Sequence, residues 1–417
     1  MIFPLIVFTI LSIAAIHLLM KKQKYKLSIG KISAIFLYKL AIGSLYGYVF
    51  SKYFGHDDTW FIHNGGLEQT HLIKNDLKHF LYQLTPSYSW EKAGNSLKDF
   101  FPRWLSDMEW NLLRKPLGIL NFFTGGNYYV NLTYINFLSF WGLFWIYQLF
   151  IQNFPNSGKI LLGIIFFLPT TAFWLSGLRS EAFLIFFFGL FLKLVQNKKK
   201  YWSAAAAWLV IAIFRADFAF VLIPLWYSWV WWLRDQRQLK RKLLITYAVF
   251  ISAITLLSLI LPGGYPWQFI VQKQAAFFKL TGSSVSLTPL SAEFPYWLKA
   301  FPQALVNTYL KPFLNEAEGV FQLSMSLSQL LVAGAAVMYL FMYRKPSICP
   351  PYDLKARAWL YHLVIWSITL YLIVGLIVPF PGAIIRYKII GELMLICCVA
   401  VSWKSRISPQ IKTYYKK

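Results

Sequence analysis

"MIFPLIVFTILSIAAIHLLMKKQKYK", residues 1–26, places one ionisable side chain, His17, in its first twenty residues and four lysines in the next six. Twenty helical residues measure about 30 Å, the thickness of a hydrocarbon core. A cleavable signal peptide carries its basic residues before the apolar core and small residues after it. Here the order is reversed. The segment therefore reads as a retained membrane helix whose basic end stays in the cytoplasm.

Similar apolar runs recur along the 417 residues. The chain is 58% hydrophobic and 19% aromatic, with only 14% charged residues, and its mean hydropathy is +0.50. A soluble chain carries nearer a quarter charged residues. The expected fold is all-α, a polytopic membrane protein forming one transmembrane domain over 1–417. Eleven spans are expected, near 3–20, 32–51, 129–151, 160–177, 182–196, 202–215, 218–233, 243–262, 323–342, 359–378 and 386–402. With the amino terminus outside, 21–26, 197–200, 234–242, 343–357 and the basic tail all fall in the cytoplasm, a consistent positive-inside pattern. The same clustering accounts for the net charge of +25. Basic residues between apolar segments serve topology and anionic lipid headgroups, so membrane lipids are the expected partner and nucleic acid is not. Cys349, Cys397 and Cys398 show no disulfide or zinc spacing.

The acids are one-sided. Only Asp235 and Asp353 of the 16 fall in cytoplasmic loops; the others lie outside or at outer span ends. Two outer segments are long, 52–128 and 263–322, and loops of that length are usually functional or disordered. In the first, Leu67, Ile73, Leu77, Phe80, Leu81 and Leu84 recur at helical spacing. Leu97, Phe100, Phe101, Trp104, Leu105, Met108 and Leu112 do so again after "SLKD", which predicts a capping box at Ser96. Both stretches read as amphipathic helices along the membrane surface.

The candidate chemistry gathers on that outer side. "FGHDDTWFIHNGG" (54–66) sets Asp57 and Asp58 where the second span leaves the membrane. Partly dehydrated carboxylates there suit proton abstraction, or could share a divalent cation (Mg or Mn) with His56 or His63 nearby. "FWLSGLRSEAFL" (173–184) interrupts an apolar stretch with Arg179 and Glu181, and "FRADF" (214–218) does so with Arg215 and Asp217. Ionisable residues at such positions are functional candidates. Residues two apart on a helix pair poorly, so Arg215 and Asp217 are expected to find other partners. "PFPGAIIRYKIIGELM" (379–394) adds Arg386 and Lys388, the latter at i,i+4 spacing from Glu392. Guanidinium groups bind phosphate bidentately, so an anionic headgroup is the simplest shared ligand. "LKPFLNEAEG" (310–319) contributes Lys311, Glu316 and Glu318.

An acidic motif opening a large first outer loop, surface-lying helices in that loop and later outward arginines resemble the GT-C glycosyltransferases. "PTTAFWLSGLRSEAFL" (169–184), "YLKPFLNEAEG" (309–319) and "GAIIRYKIIGELM" (382–394) are similar to stretches of bacterial multi-spanning proteins grouped with that class. The resemblance implies transfer of a sugar from a polyprenyl-(pyro)phosphate carrier to a glycan, lipid or protein hydroxyl, with inversion, outside the bacterial inner membrane. Both long outer segments would contribute to that site. Asp57 or Asp58 would activate or orient the acceptor, and Arg386 with Lys388 would match the basic group at the carrier phosphate. Arg179 and Arg215 match less closely. A "WWDYG"-type motif is absent, which argues against an oligosaccharyltransferase. Two rivals stand beside this reading. One is a polysaccharide polymerase or ligase using lipid-pyrophosphate glycans. The other is a lipid-linked glycan transporter or flippase, for which Lys39, His17 and His362 are the lone hints of a polar path.

Overall fold

Helix is the regular structure of the described residues of the computed structural model: 2–53, 58–261, 266–280, 285–291, 294–316, 320–343 and 354–407. The all-α expectation holds. The chain divides into two compact units, one of residues 1–149 and 166–219, the other of 150–165 and 220–417.

The first unit starts with α1 (Ile2–Met20) and α2 (Ile29–Tyr53). The first long outer segment follows as α3 (Asp58–Asn75), α4 (Leu77–Tyr82), α5 (Pro86–Lys92) and α6 (Leu97–Thr124), and then comes α7 (Tyr128–Asn153). α8 (Gly158–Phe167) lies mostly in the second unit. α9 (Pro169–Trp174), α10 (Ser180–Val195), α11 (Tyr201–Phe214) and the start of α12 (Ala216–Asp235) complete the first unit.

Small residues decide its packing. Gly65 and Gly66 of α3 lie against Arg114 and Leu117 of α6, and Gly118 of α6 lies against Gln69 of α3. A Cβ at any of the three would clash, so these glycines let the helices cross closely. Thr70 donates to the Gly118 carbonyl (3.0 Å) at the same crossing. Lys115, buried on α6, donates to Gln69 Oε1 (2.9 Å) and Gln83 Oε1 (3.0 Å), fastening the turn after α4. Gly142 of α7 and Gly189 of α10 likewise meet backbone to backbone.

Expectation and structure differ at three places here. The face from Leu67 to Leu84 is not one helix, because Asp76 caps α4 by accepting from the His79 amide (2.9 Å). Ser96 is the N-cap of α6, but its hydroxyl makes no capping bond. The expected span 160–177 is broken: α8 ends at Phe167, Pro169 restarts the chain as α9, and Leu175–Arg179 runs outside helix. A proline lacks the N–H and crowds the preceding turn, which accounts for the break.

Among the described residues, six helices are long and apolar enough to cross a membrane, α1, α2, α7, α12, α13 (Leu239–Ile260) and α17 (Leu354–Ile377). The chain is accordingly membrane-embedded. α10 and α11, with 16 and 14 residues, are about 24 and 21 Å long, short of a roughly 30 Å core.

The second unit adds α14 (Trp267–Phe278), α15 (Phe294–Tyr309), α16 (Val320–Tyr343) and α18 (Pro381–Ile407) to α13, α17 and most of α12. α17 packs on α15, with Gly375 against the Ala304 backbone, and α18 packs on α16 and α17. The second long outer segment is tied down by Gln274, which donates to the Thr288 (3.0 Å) and Leu376 (2.7 Å) carbonyls and accepts from the Leu290 amide (2.7 Å). Such side-chain partners answer backbone groups of the non-helical stretch 285–291, whose Val285, Leu287 and Leu290 are buried.

Candidate functional site

A row of alternating charges crosses the first unit. Asp58, the first residue of α3, meets Arg179 Nη2 through Oδ2 at 2.6 Å. Arg179 Nε stands 3.8 Å from Glu181 Oε2. Glu181 Oε1 accepts from Arg215 Nη2 at 2.9 Å. Two carboxylates and two guanidinium groups thus sum to no formal charge, which is how ionised groups survive burial. Burial is graded along the row. Glu181 and Arg179 are 1% and 3% exposed, whereas the Asp58 carboxyl side chain is 48% exposed.

Local structure sets each member. Arg179 is the extended N-cap residue of α10, and Glu181 lies in the first turn of that helix, where a negative charge faces the positive helix end. Arg215 is the residue between α11 and α12, and Asp217 lies buried in the first turn of α12. Arg215 thus finds its partner on another helix, as its poor spacing to Asp217 implies.

α2 supports Arg179 from beneath. Tyr46 accepts from Arg179 Nη1, and the rings of Tyr46 and Phe50 each lie 5.8 Å from the guanidinium carbon. Two turns deeper, the buried Lys39 donates to the Leu175 carbonyl (3.2 Å) and Ser176 Oγ (2.9 Å). Asn136 of α7 donates to the Ser176 carbonyl (3.2 Å), and Thr59 donates to the Leu178 carbonyl (3.1 Å). The break after α9 is therefore held by side chains from α2, α3 and α7, which fixes the place of Arg179. Gly43 and Gly177 make room for this approach, Gly43 against the Ser176 carbonyl and Gly177 against the Tyr46 ring.

The other expected site residues are distributed differently. His56 and Asp57 lie outside the described residues, as do Glu318 and Cys349. His63 is buried edge-on against the rings of Trp60 (5.6 Å) and Tyr128 (5.5 Å), which stack on each other. Burial pushes its imidazole below the ordinary histidine value. Arg386 and Lys388 belong to the second unit. Arg386 is half-buried near the Tyr387 ring (5.5 Å). Lys388 is buried and donates to the Thr308 carbonyl and Gln329 Oε1, so the expected i,i+4 contact with Glu392 is not made. The tertiary acceptors on α15 and α16 outcompete it. In the second outer segment, Lys311 pairs with Glu316 at 3.2 Å.

Among the described residues, no group of three or more His, Cys, Asp or Glu side chains could hold a metal. Of the expected cation ligands Asp58 and His63 are described; one Asp58 oxygen receives Arg179, and His63 packs against the Trp60 and Tyr128 rings. A cavity of about 170 Å³ opens between α1, α6 and α7, lined by Phe8, Ser12, Thr124 and Tyr134 among others; the charged row does not line it.

Sequence reasoning missed Tyr46 as a partner of Arg179 and Lys39 as a brace of the broken turn. Lys39 had a signal, being the one charged residue of the expected span 32–51. Tyr46 had none, since an aromatic on a buried helix face is ordinary core.

Chemically, the row offers one half-exposed carboxylate whose inner oxygen is fixed by a buried guanidinium. The carboxylate is thereby held in one orientation as a hydrogen-bond acceptor. Compared with known protein families, characterised proteins and solved structures, the chain matches none of them.

Proposed function

We propose that this protein is an integral membrane glycosyltransferase that moves a sugar from a polyprenyl-(pyro)phosphate carrier to an acceptor hydroxyl outside a bacterial inner membrane. The observation that carries this reading is the Asp58–Arg179 pair, a half-exposed carboxylate held by a buried guanidinium at 2.6 Å. Asp58 accepts the hydroxyl proton of the acceptor as its oxygen bonds to the anomeric carbon. The carrier phosphate leaves with the bonding pair, and the anomeric centre inverts. General-base assistance of this kind supplies roughly 10²–10⁴-fold.

The short helices α10 and α11 support a recessed site. Their shared turn carries Lys198, Lys199 and Lys200 and sits in the cytoplasm under the positive-inside rule. Their opposite ends, with Arg179, Glu181 and Arg215, then stop roughly 6–9 Å below the far boundary of the core. A lipid-linked substrate reaches that depth sideways.

The test uses membranes carrying the full chain, supplied with radiolabelled nucleotide sugars. Label should pass from the lipid extract into acceptor with the wild type and remain in the lipid with Asp58→Asn. Equal transfer by both removes Asp58 from the chemistry and the reading with it. Label that changes leaflet but stays on lipid identifies a flippase instead.

A further inference from the structure

The second unit holds a buried acid and amine that do not meet. Lys388 and Glu392 lie on α18, seven and eleven residues beyond Pro381, or about 10 and 16 Å along the helix. Both are completely buried, together with Thr308 at the end of α15, Gln329 of α16 and Tyr371 of α17. Lys388 Nζ makes two donations, to the Thr308 carbonyl and to Gln329 Oε1, and lies 5.1 Å from the centre of the Tyr371 ring. Among the described residues, neither oxygen of Glu392 has a hydrogen-bond partner, and neither has the Tyr371 hydroxyl or Gln329 Nε2.

An ionised carboxylate in that position would be a buried charge with no donor, the costliest arrangement a protein interior offers. The ammonium would likewise carry a third N–H with nowhere to go. Moving one proton resolves both. The N–H bond of Lys388 breaks, an O–H bond of Glu392 forms, and the pair keeps a net charge of zero. The amine then has two hydrogens for its two donations, and the acid carries no charge. The described titratable groups facing this pair are few: Lys388 itself on α18, and Tyr371 on α17, whose ring lies tilted at 4.7 Å from that of Tyr309 of α15. α16 contributes only the neutral Gln329.

We propose that Lys388 and Glu392 form a buried proton-transfer pair, with the proton resident on Glu392 and the amine of Lys388 ready to bind another. Its ligand is a proton. Acids and bases set at such depth in helical membrane proteins mark proton relays and ion pathways. The pair therefore gives the second unit a proton-linked step, independent of the sugar-transfer reading above.

Infrared spectroscopy of the full chain in lipid nanodiscs reads the proton directly. The wild type should show a carboxylic-acid C=O stretch that shifts down in D₂O and is missing from Glu392→Gln. In Lys388→Met the band should persist. If the wild type minus Glu392→Gln difference contains carboxylate bands and no acid band, the two residues are an ion pair and the proposal fails. Should Glu392→Gln not fold, Glu392→Asp replaces it, and the acid band must then move in frequency. An unmoved band assigns the signal to another residue and also overturns the proposal.

Discussion

Removing the Glu181 charge tests the buried row most directly. Glu181 accepts from Arg215 at 2.9 Å and faces Arg179 at 3.8 Å, and none of the three is more than 9% exposed. Glu181→Gln takes from buried Arg215 the carboxylate that lies 2.9 Å away, a loss of about 3–5 kcal/mol. Arg215→Met should cost less, about 1–3 kcal/mol, because Glu181 keeps Arg179 beside it. The double variant removes one charge of each sign and leaves Arg179 with Asp58. It should be more stable than Glu181→Gln alone, since a buried ion pair can often be exchanged for neutral groups at little cost. Reversible denaturant unfolding in mixed micelles, followed by tryptophan fluorescence, supplies all four corners of the cycle. If the two single losses add to within about 0.5 kcal/mol in the double variant, the residues are uncoupled and the row is not an electrostatic unit.

Two further outcomes follow from the same unit. Burial keeps the folded His63 imidazole below its ordinary value of 6.5, so the unfolded chain takes up that proton first on acidification. Stability present at neutral pH is then lost as pH falls below 6.5, and His63→Phe should flatten that part of the pH–stability profile; an unchanged slope would clear His63. At the α7–α10 crossing, a Cβ on Gly189 meets the Gly142 carbonyl, while one on Gly163 meets nothing within 4 Å. Gly189→Val should therefore cost about 1–3 kcal/mol by overpacking and broaden the gel-filtration peak, with Gly163→Ala eluting like the wild type.

Much of the fold was legible because hydropathy is a local sum. The expected spans at 32–51 and 129–151 fall within α2 and α7, and those at 243–262 and 359–378 match α13 and α17 to within two residues at their carboxy-terminal ends. The break at Pro169 was announced by its residue type, yet the apolar run through 160–177 concealed it. Asp58, Arg179, Glu181 and Arg215 could be singled out individually, since each interrupts an apolar run or opens a loop. Their pairing could not. Asp58 and Arg179 are separated by 121 positions, and no periodicity reaches that far. Lys388 and Glu392 show the opposite error. A local i,i+4 rule predicts their contact, and acceptors from α15 and α16 override it.

The sequence by itself determined that this chain is helical and lies in a membrane, because the cost of exposing backbone and charge to hydrocarbon acts residue by residue. Only the tertiary structure decided which charge answers which. A buried ion is satisfied by whichever donor or acceptor packing delivers within about 3 Å, and that depends on where Gly43, Gly65, Gly118 and Gly189 let helices approach. The aimed carboxylate of Asp58 and the unpartnered carboxyl of Glu392 are both products of that packing.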